Sequence, residues 1–319
     1  MRGRIVNLLL IMVLLMLDAA FLVRITSTST IYPFERVMIG NVFIYNINFL
    51  KDTPFYGERL VAVNGTAVSA DTVLPALWLH RDQSILSLTL EREGRTYETK
   101  FSHRGFNSRI MWFFMMLLLV ANIHFLYGLT VRAFRSNSYQ SRLFFLSSTA
   151  ISLFYFCLID LFSFSEFKAI FILVMILLGY ITLMVGYNLS REKVSRPVVI
   201  LFFIVTGLLF SLLPDYSNRP FDTFALKIIF VYLLSFAALA VWKLIMNMAT
   251  ERHLYIFKRE TVIITGIVLA YVLPLFIYFI WIFYDIHPMI HLFTAATLLI
   301  PLVIGNSILQ YNLFSLRLF

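Results

Sequence analysis

Apolar residues run through this chain in blocks of about 20, the length a helix needs to cross the hydrocarbon core of a bilayer. The first block is Ile5–Val23, preceded by Arg2 and Arg4. Seven more follow a long polar interruption: Ile110–Val131, Leu143–Phe162, Ala169–Leu189, Val198–Leu213, Phe224–Met246, Val262–Tyr284 and Met289–Tyr311. Val198–Leu213 is the shortest. A basic start and an apolar run also open a signal peptide. No small-x-small cleavage site follows here, so the block reads as a retained signal anchor. The pattern predicts a polytopic α-helical membrane protein with eight spans, arranged as one plus seven.

The interruption, Arg24–Arg109, has a different texture, with 10 bases and 8 acids in 86 residues. Arg36–Leu50 is rich in Val, Ile, Phe and Tyr and predicts one or two strands. Gly57–Val68 is an apolar strand running into Asn64-Gly65, a strong tight-turn signal. Asp71 or Ser69 is placed to cap a short helix over Val73–His80. Ser84–Arg92 then alternates, with Ile85, Leu86, Leu88 and Leu90 as its apolar positions, and Glu93-Gly94-Arg95 turns it into a strand over Thr96–Phe101. These elements predict a small α+β domain on a membrane stalk. The expected organisation is an anchor helix over residues 1–24, an extracytoplasmic domain over 25–108 and a seven-span bundle over 109–319.

Composition agrees with this reading. The chain of 319 residues is 60% hydrophobic and 13% charged, and 33 residues are Phe. An ordinary soluble domain carries roughly a quarter charged residues, so a soluble globule, a disordered chain and a disulfide scaffold are all excluded. The single cysteine, Cys157, has no intrachain partner to oxidise with. A net charge of +9 could suggest nucleic acid, but the bases lie in short runs between the apolar blocks. With the N-terminus inside, the cytoplasmic ends hold 13 Lys and Arg, against three (Lys168, Arg219 and Lys227) at the short outer loops. The positive-inside rule therefore predicts both termini in the cytoplasm and the small domain outside. The charge is a topology signal that also favours anionic membrane lipid, and no nucleic-acid partner is expected.

The order strand, Gly-Glu-Arg-Leu-Val-Ala-Val-Asn-Gly-Thr-Ala-Val, helix, Leu-Ser-Leu-Thr-Leu-Glu-Arg-Glu-Gly-Arg resembles a bacterial PDZ domain over about Val37–Phe101. The resemblance implies a groove between a strand edge and a helix, where an extended peptide or protein segment adds to the sheet by backbone hydrogen bonds. It places the carboxylate-binding loop at Met38-Ile39-Gly40-Asn41, with Ile39, Gly40 and Asn41 as candidate ligand contacts. Gly57, Asn64 and Gly65 are then structural. The other reading of this domain is a cap that only packs on its own bundle.

The whole arrangement is similar to the input half of the quorum-sensing histidine kinases of the Bacillus competence type. The segment Ile300–Phe314, with Pro301, Gly305 and a closing Tyr311-Asn312-Leu313-Phe314, resembles the exit helix of such sensors. The resemblance implies a plasma-membrane sensory module that binds a hydrophobic or modified peptide and signals through its last helix to a kinase or other output domain or partner, as a homodimer. The chain stops at Phe319 with no kinase domain behind it, so it is either an excised module or one that hands its output to a separate protein. Two alternatives stay open: a membrane-anchored PDZ adaptor for exported protein tails, and a permease-like bundle with a regulatory domain.

Catalytic signatures are absent from the sequence. There is no His-Glu-x-x-His helix, no Gly-x-Ser-x-Gly elbow and no phosphate loop. No cofactor is expected. Ionisable residues inside spans are costly and mark candidate sites. Asp18 and Asp160 lie near enough to the outer surface to be read as reaching water. His124, beside Asn122, is too deep for that and is read as bonding within the bundle or lining a ligand cavity. His287 and His291, four apart and beside Asp285, share a helical face at the outer start of the last span. They are read as pH-responsive or polar ligand contacts, and no metal site is assigned to them. Pro274 and Pro301 each remove a backbone hydrogen bond and predict kinks in the last two spans.

Overall fold

The structure, a computed structural model, describes residues 2–31, 36–39, 42–46, 58–69, 72–92, 94–102, 107–135, 138–161, 168–189, 196–211 and 223–250, and parts of 265–309. The expectations for Gly40, Asn41, Gly57, Pro274, Asp285, His287 and His291 lie outside the described residues. The protein is mostly helical, with one small sheet. Among the described residues, three helical stretches are long and apolar enough to cross a membrane: Ile5–Ser29, Ser108–Phe134 and Ser141–Asp160. Shorter apolar stretches occupy Ile170–Val185, Arg196–Leu209 and Val231–Met246.

Helix α1 spans Arg2–Ile31. It does not stop where the apolar block ends, near residue 24, because Ile25–Ile31 contains no glycine or proline to break it. At 1.5 Å per residue it is about 45 Å long. Its buried residues Leu14, Phe21, Ile25 and Thr28 recur at seven-, four- and three-residue steps, which is one narrow helical seam. Leu8, Leu9, Leu15, Met16 and Val23 on the rest of the helix are exposed.

The chain next forms a six-stranded antiparallel sheet in the order β1-β2-β3-β5-β6, with β4 paired to β3. Its strands are β1 Arg36–Ile39, β2 Val42–Asn46, β3 Arg59–Val63, β4 Thr66–Ala67, β5 Ile85–Arg92 and β6 Arg95–Ser102. Asn64 and Gly65 both take positive φ, 48° and 77°, which is the turn a two-residue hairpin needs. Asn64 also ties this turn to β5. Its amide donates to the Ser87 carbonyl at 2.6 Å, and its side-chain oxygen accepts from the Ser87 amide at 2.7 Å. In β5 the alternation works as expected, with Leu86, Leu88 and Leu90 fully buried.

Helix α2, Val73–Leu79, covers the sheet with Val73, Ala76 and Leu77. The cap differs from expectation. Thr72 is the N-cap and makes no side-chain cap bond. The Ser69 carbonyl, not its hydroxyl, accepts from Thr72 and Val73 amides at 3.2 and 3.1 Å. Asp71 lies outside the described residues.

Further helices among the described residues are α3 Ser108–Phe134, α4 Tyr139–Leu161, α5 Lys168–Leu189, α6 Arg196–Ser211 and α7 Thr223–Thr250. Asn107 caps α3 by accepting from the Ile110 amide at 3.2 Å, and its own amide donates to the Ser29 carbonyl of α1 at 2.7 Å. The start of α3 is thereby bonded to the last turns of α1. Helices α3 and α4 pack extensively, and Gly128 lets them approach. A Cβ there would stand 2.6 Å from Cβ of Ser148, the small-residue contact that brings membrane helices together. Helix α5 packs on α4 and α7, where Tyr232 donates to the Ile176 carbonyl at 2.9 Å.

Two π-helical segments follow, Val268–Val272 and Pro301–Gly305. The second one begins at a proline. Pro301 has no amide to donate, so the Thr297 carbonyl loses its α-helical partner and accepts from Ile300 instead, at 3.0 Å. Buried apolar side chains form one cluster from Leu60, Leu77 and Leu88 of the sheet unit into Ile25, Ile110 and Phe114 of the helices.

Candidate functional site

The sites that stand out are polar groups set among apolar helices. The one nearest the sheet joins α1 to α4, where the Arg24 guanidinium donates to the Asp160 carboxylate. The Asp160 side chain is 1% exposed and that of Arg24 is 24% exposed. This corrects the reading of Asp160 as a residue reaching water. It is enclosed, and a fixed cation on α1 balances it. A lone carboxylate there would carry most of its desolvation cost uncompensated.

About nine ångströms back along α1, the six residues from Arg24 to Asp18 at 1.5 Å each, comes the second contact. Asn122 of α3 donates to Asp18 at 2.8 Å. Its amide also reaches the Leu118 carbonyl at 3.0 Å. Asp18 is half-buried and engaged with a neighbouring helix, not simply hydrated.

The third contact is the densest. His124 of α3 is fully buried and lies roughly parallel to the Tyr155 ring of α4, with centroids 6.3 Å apart and planes at 26°. Tyr155 and Thr297 share a hydroxyl hydrogen bond at 2.8 Å, and Thr297 also bonds back to the Thr294 carbonyl at 2.8 Å. The backbone of Thr297, whose carbonyl Pro301 releases, interacts with the imidazole. That approach falls short of well-formed hydrogen-bond geometry at either ring nitrogen. The Thr294 hydroxyl is likewise buried without a bonded partner. Buried polar groups are normally satisfied, and the His124 nitrogens share this lack of a well-formed bond with the buried hydroxyls of Thr28 and Ser148.

The fourth contact lies beyond Pro301. Tyr127 of α3 donates to Asn306, and Gly305 presents bare backbone to the Tyr127 ring. A side chain at Gly305 would also crowd Phe144, at 3.1 Å. The π segment is therefore clasped from both ends by α3 and α4. Beside it, a cavity of about 30 Å³ is lined by Ser147, Ile151, Thr182, Val185, Ala240, Ile300 and Ile304. A space of that size holds about one water.

The expected site residues are thus only partly brought together. His124 joins a cluster with Tyr155, Thr294 and Thr297, while Asp160 belongs to a separate contact with Arg24. Ile39 pairs with Val42 across β1 and β2, and Asn64 and Gly65 form the β3–β4 turn. Sequence reasoning missed Arg24, Tyr127, Tyr155, Thr294, Thr297 and Asn306. The available signal was that Arg24 and Asp160 have opposite charge and were both placed at the outer ends of spans. It also missed Glu58, which is buried under the sheet, accepts from the Tyr97 hydroxyl at 2.6 Å and faces Arg92 at 3.8 Å.

Chemically, the arrangement couples helices. Among the described residues there is no group of three or more metal-ligating side chains, and Cys157 is buried and free. No family model, no curated protein and no solved structure matches this chain.

Proposed function

We propose that this protein is a transmembrane signal-input module. In this reading it crosses the plasma membrane of a bacterium eight times, with both termini in the cytoplasm and the sheet unit outside as a PDZ-type domain. A hydrophobic or modified extracytoplasmic peptide is the ligand, and the last helix carries the change to a kinase or other output partner. The observation that supports the reading is the series of polar contacts from α1, which leads into the sheet unit, through α3 and α4 to the segment around Pro301. Binding outside would bias two packings of that series, and the π segment is the element with an alternative, because α and π hydrogen bonding differ by one residue. The thirteen-to-three distribution of bases supports the orientation. The continuous apolar core argues against a freely hinged adaptor, since the sheet unit shares its buried surface with the helices.

The test uses the full chain in lipid nanodiscs with a fluorophore on Asn306→Cys, titrated with a panel of hydrophobic and lipid-modified peptides. A sensor shows saturable binding and a matching change in emission. Binding that leaves the fluorophore unmoved favours the adaptor, and peptide accumulation inside sealed vesicles favours a permease. Pro301→Ala then separates hinge from packing: the expected result is unchanged affinity with an altered emission response. Orientation is checked in intact cells, where cysteine at Thr66 should react with an impermeant thiol reagent and cysteine at Ser136 or Ser195 should not.

A further inference from the structure

Helix α2 buries Val73, Ala76 and Leu77, yet its last turn does the opposite. Trp78 is 51% exposed and Leu79 is 68% exposed. Ile85, just after the following turn, is also exposed. The Arg81 guanidinium lies 4.0 Å over the Trp78 ring and donates to the Trp78 carbonyl at 3.3 Å. Asp82 stands 3.8 Å from Arg81 and is almost wholly exposed, so it forms the wet rim of the group.

Position turns this patch into a surface with an occupant. Helix α2 lies against α1. Seven residues separate Arg24, at the level of the Asp160 ion pair, from the end of α1 at Ile31, a rise of about 10 Å. The headgroup layer beside a hydrocarbon core of about 30 Å is about 5–8 Å deep on each side, so α1 ends near its outer edge. The Asn107–Ser29 bond fixes the start of α3 at the same level, which draws the sheet unit down onto the helices. Along α1, in the turn before Arg24, Leu22 and Val23 are exposed. Tryptophan with an apolar neighbour and a cation is the set of side chains favoured at a membrane interface, where the ring is half wet and the guanidinium reaches phosphate.

We propose that the Trp78–Leu79 end of α2, with Arg81 beside it, rests in the headgroup layer of the leaflet next to the sheet unit. The contact would hold that unit at a fixed tilt on the membrane, and it is independent of the signalling role and of which way round the chain is inserted.

The test uses the full chain in phosphatidylcholine nanodiscs with Trp112, Trp242 and Trp281 replaced by phenylalanine, so that Trp78 alone emits. The expected result is blue-shifted emission, reduced about twofold in lipid brominated near the headgroup, with weak quenching by aqueous iodide. Strong iodide quenching with no response to brominated lipid overturns the proposal. Weak response to both quenchers also overturns it, because protein and not lipid would then cover the ring. If the triple replacement does not fold, a spin label on Leu79→Cys in the otherwise unchanged chain answers the same question. Greater access to oxygen than to an aqueous nickel complex supports lipid contact, and the reverse refutes it.

Discussion

Helices α1 and α4 are both long and apolar enough to cross a bilayer, yet they are built to opposite rules. The most apolar stretch of α1 is only 11% buried within the protein, and that of α4 is 72% buried. Helix α1 is also the more apolar of the two. The relation inverts the rule for soluble proteins, where the buried helix is the greasy one. In lipid the exposed face must be apolar all round, and the interior is where Ser141, Tyr155 and Asp160 find partners. A helix so little buried needs something other than packing area to fix its position. For α1 that is the set of polar contacts at Asp18, Arg24 and Ser29.

The sharpest way to break the comparison is to remove Arg24. Arg24→Ala removes the cation that donates to the buried Asp160 carboxylate, and the expected cost is about 3 kcal/mol, the low end for a buried pair because Arg24 is partly exposed. The double variant Arg24→Leu with Asp160→Leu should recover most of that loss. Unfolding by SDS titration in mixed micelles measures both. If the single and double variants are equally unstable, α1 is held by packing and the contrast with α4 fails.

Crowding the contact at Gly305 comes next. Gly305→Ala pushes a methyl group into the Tyr127 ring, and the expected loss is about 2 kcal/mol from overpacking. Asn306→Ala, which removes only the bond from Tyr127, should cost less. Equal effects in the same titration would mean that the close approach of Gly305 carries nothing.

A change in the sheet unit gives a control outside the helices. Gly65→Val must hold a β-branched residue at a φ of 77°, an expected strain of about 1–2 kcal/mol. Limited proteolysis of the full chain should cut faster within residues 58–102, while cutting in the helices stays unchanged. Faster cleavage of both regions together would show that the shared apolar core makes them one cooperative unit.

The smallest expected effect is at Asn122. Asn122→Leu trades the bond to Asp18 for apolar volume, and membrane hydrogen bonds average about 0.6 kcal/mol. A loss above about 1.5 kcal/mol would mean that Asp18 is as dependent on its partner as Asp160 is.

Much of the local structure was legible in the chain. Strand β5 reads directly from Leu86, Leu88 and Leu90, because side chains on a strand alternate and one face is buried. The Asn64-Gly65 turn reads from chemistry, since few residues accept positive φ. The apolar blocks of α3, α4 and α5 coincide with their helices to within a few residues, because none contains a proline to end it sooner. What could not be read was which polar residues meet. Asp160 looked solvated because its depth was judged along its own helix, and burial depends on what stands beside it. Thr294, Thr297 and Asn306 looked like ordinary small polar residues, and only the packing of α3 and α4 around Pro301 makes them partners of Tyr155 and Tyr127.

The sequence by itself determined that this is a helical membrane-type chain interrupted by a small strand-rich unit, because hydropathy and period are local properties that need no partner. It also determined the tight turn and the loss of a backbone bond at Pro301, both consequences of single residues. Only the tertiary structure decided that Arg24 neutralises Asp160 and that His124 stacks on Tyr155. It alone decided that the carbonyl released by Pro301 is shared between Ile300 and the neighbourhood of an imidazole. Those are distances between residues tens to more than a hundred positions apart, and they follow from how helices pack, which no local pattern encodes.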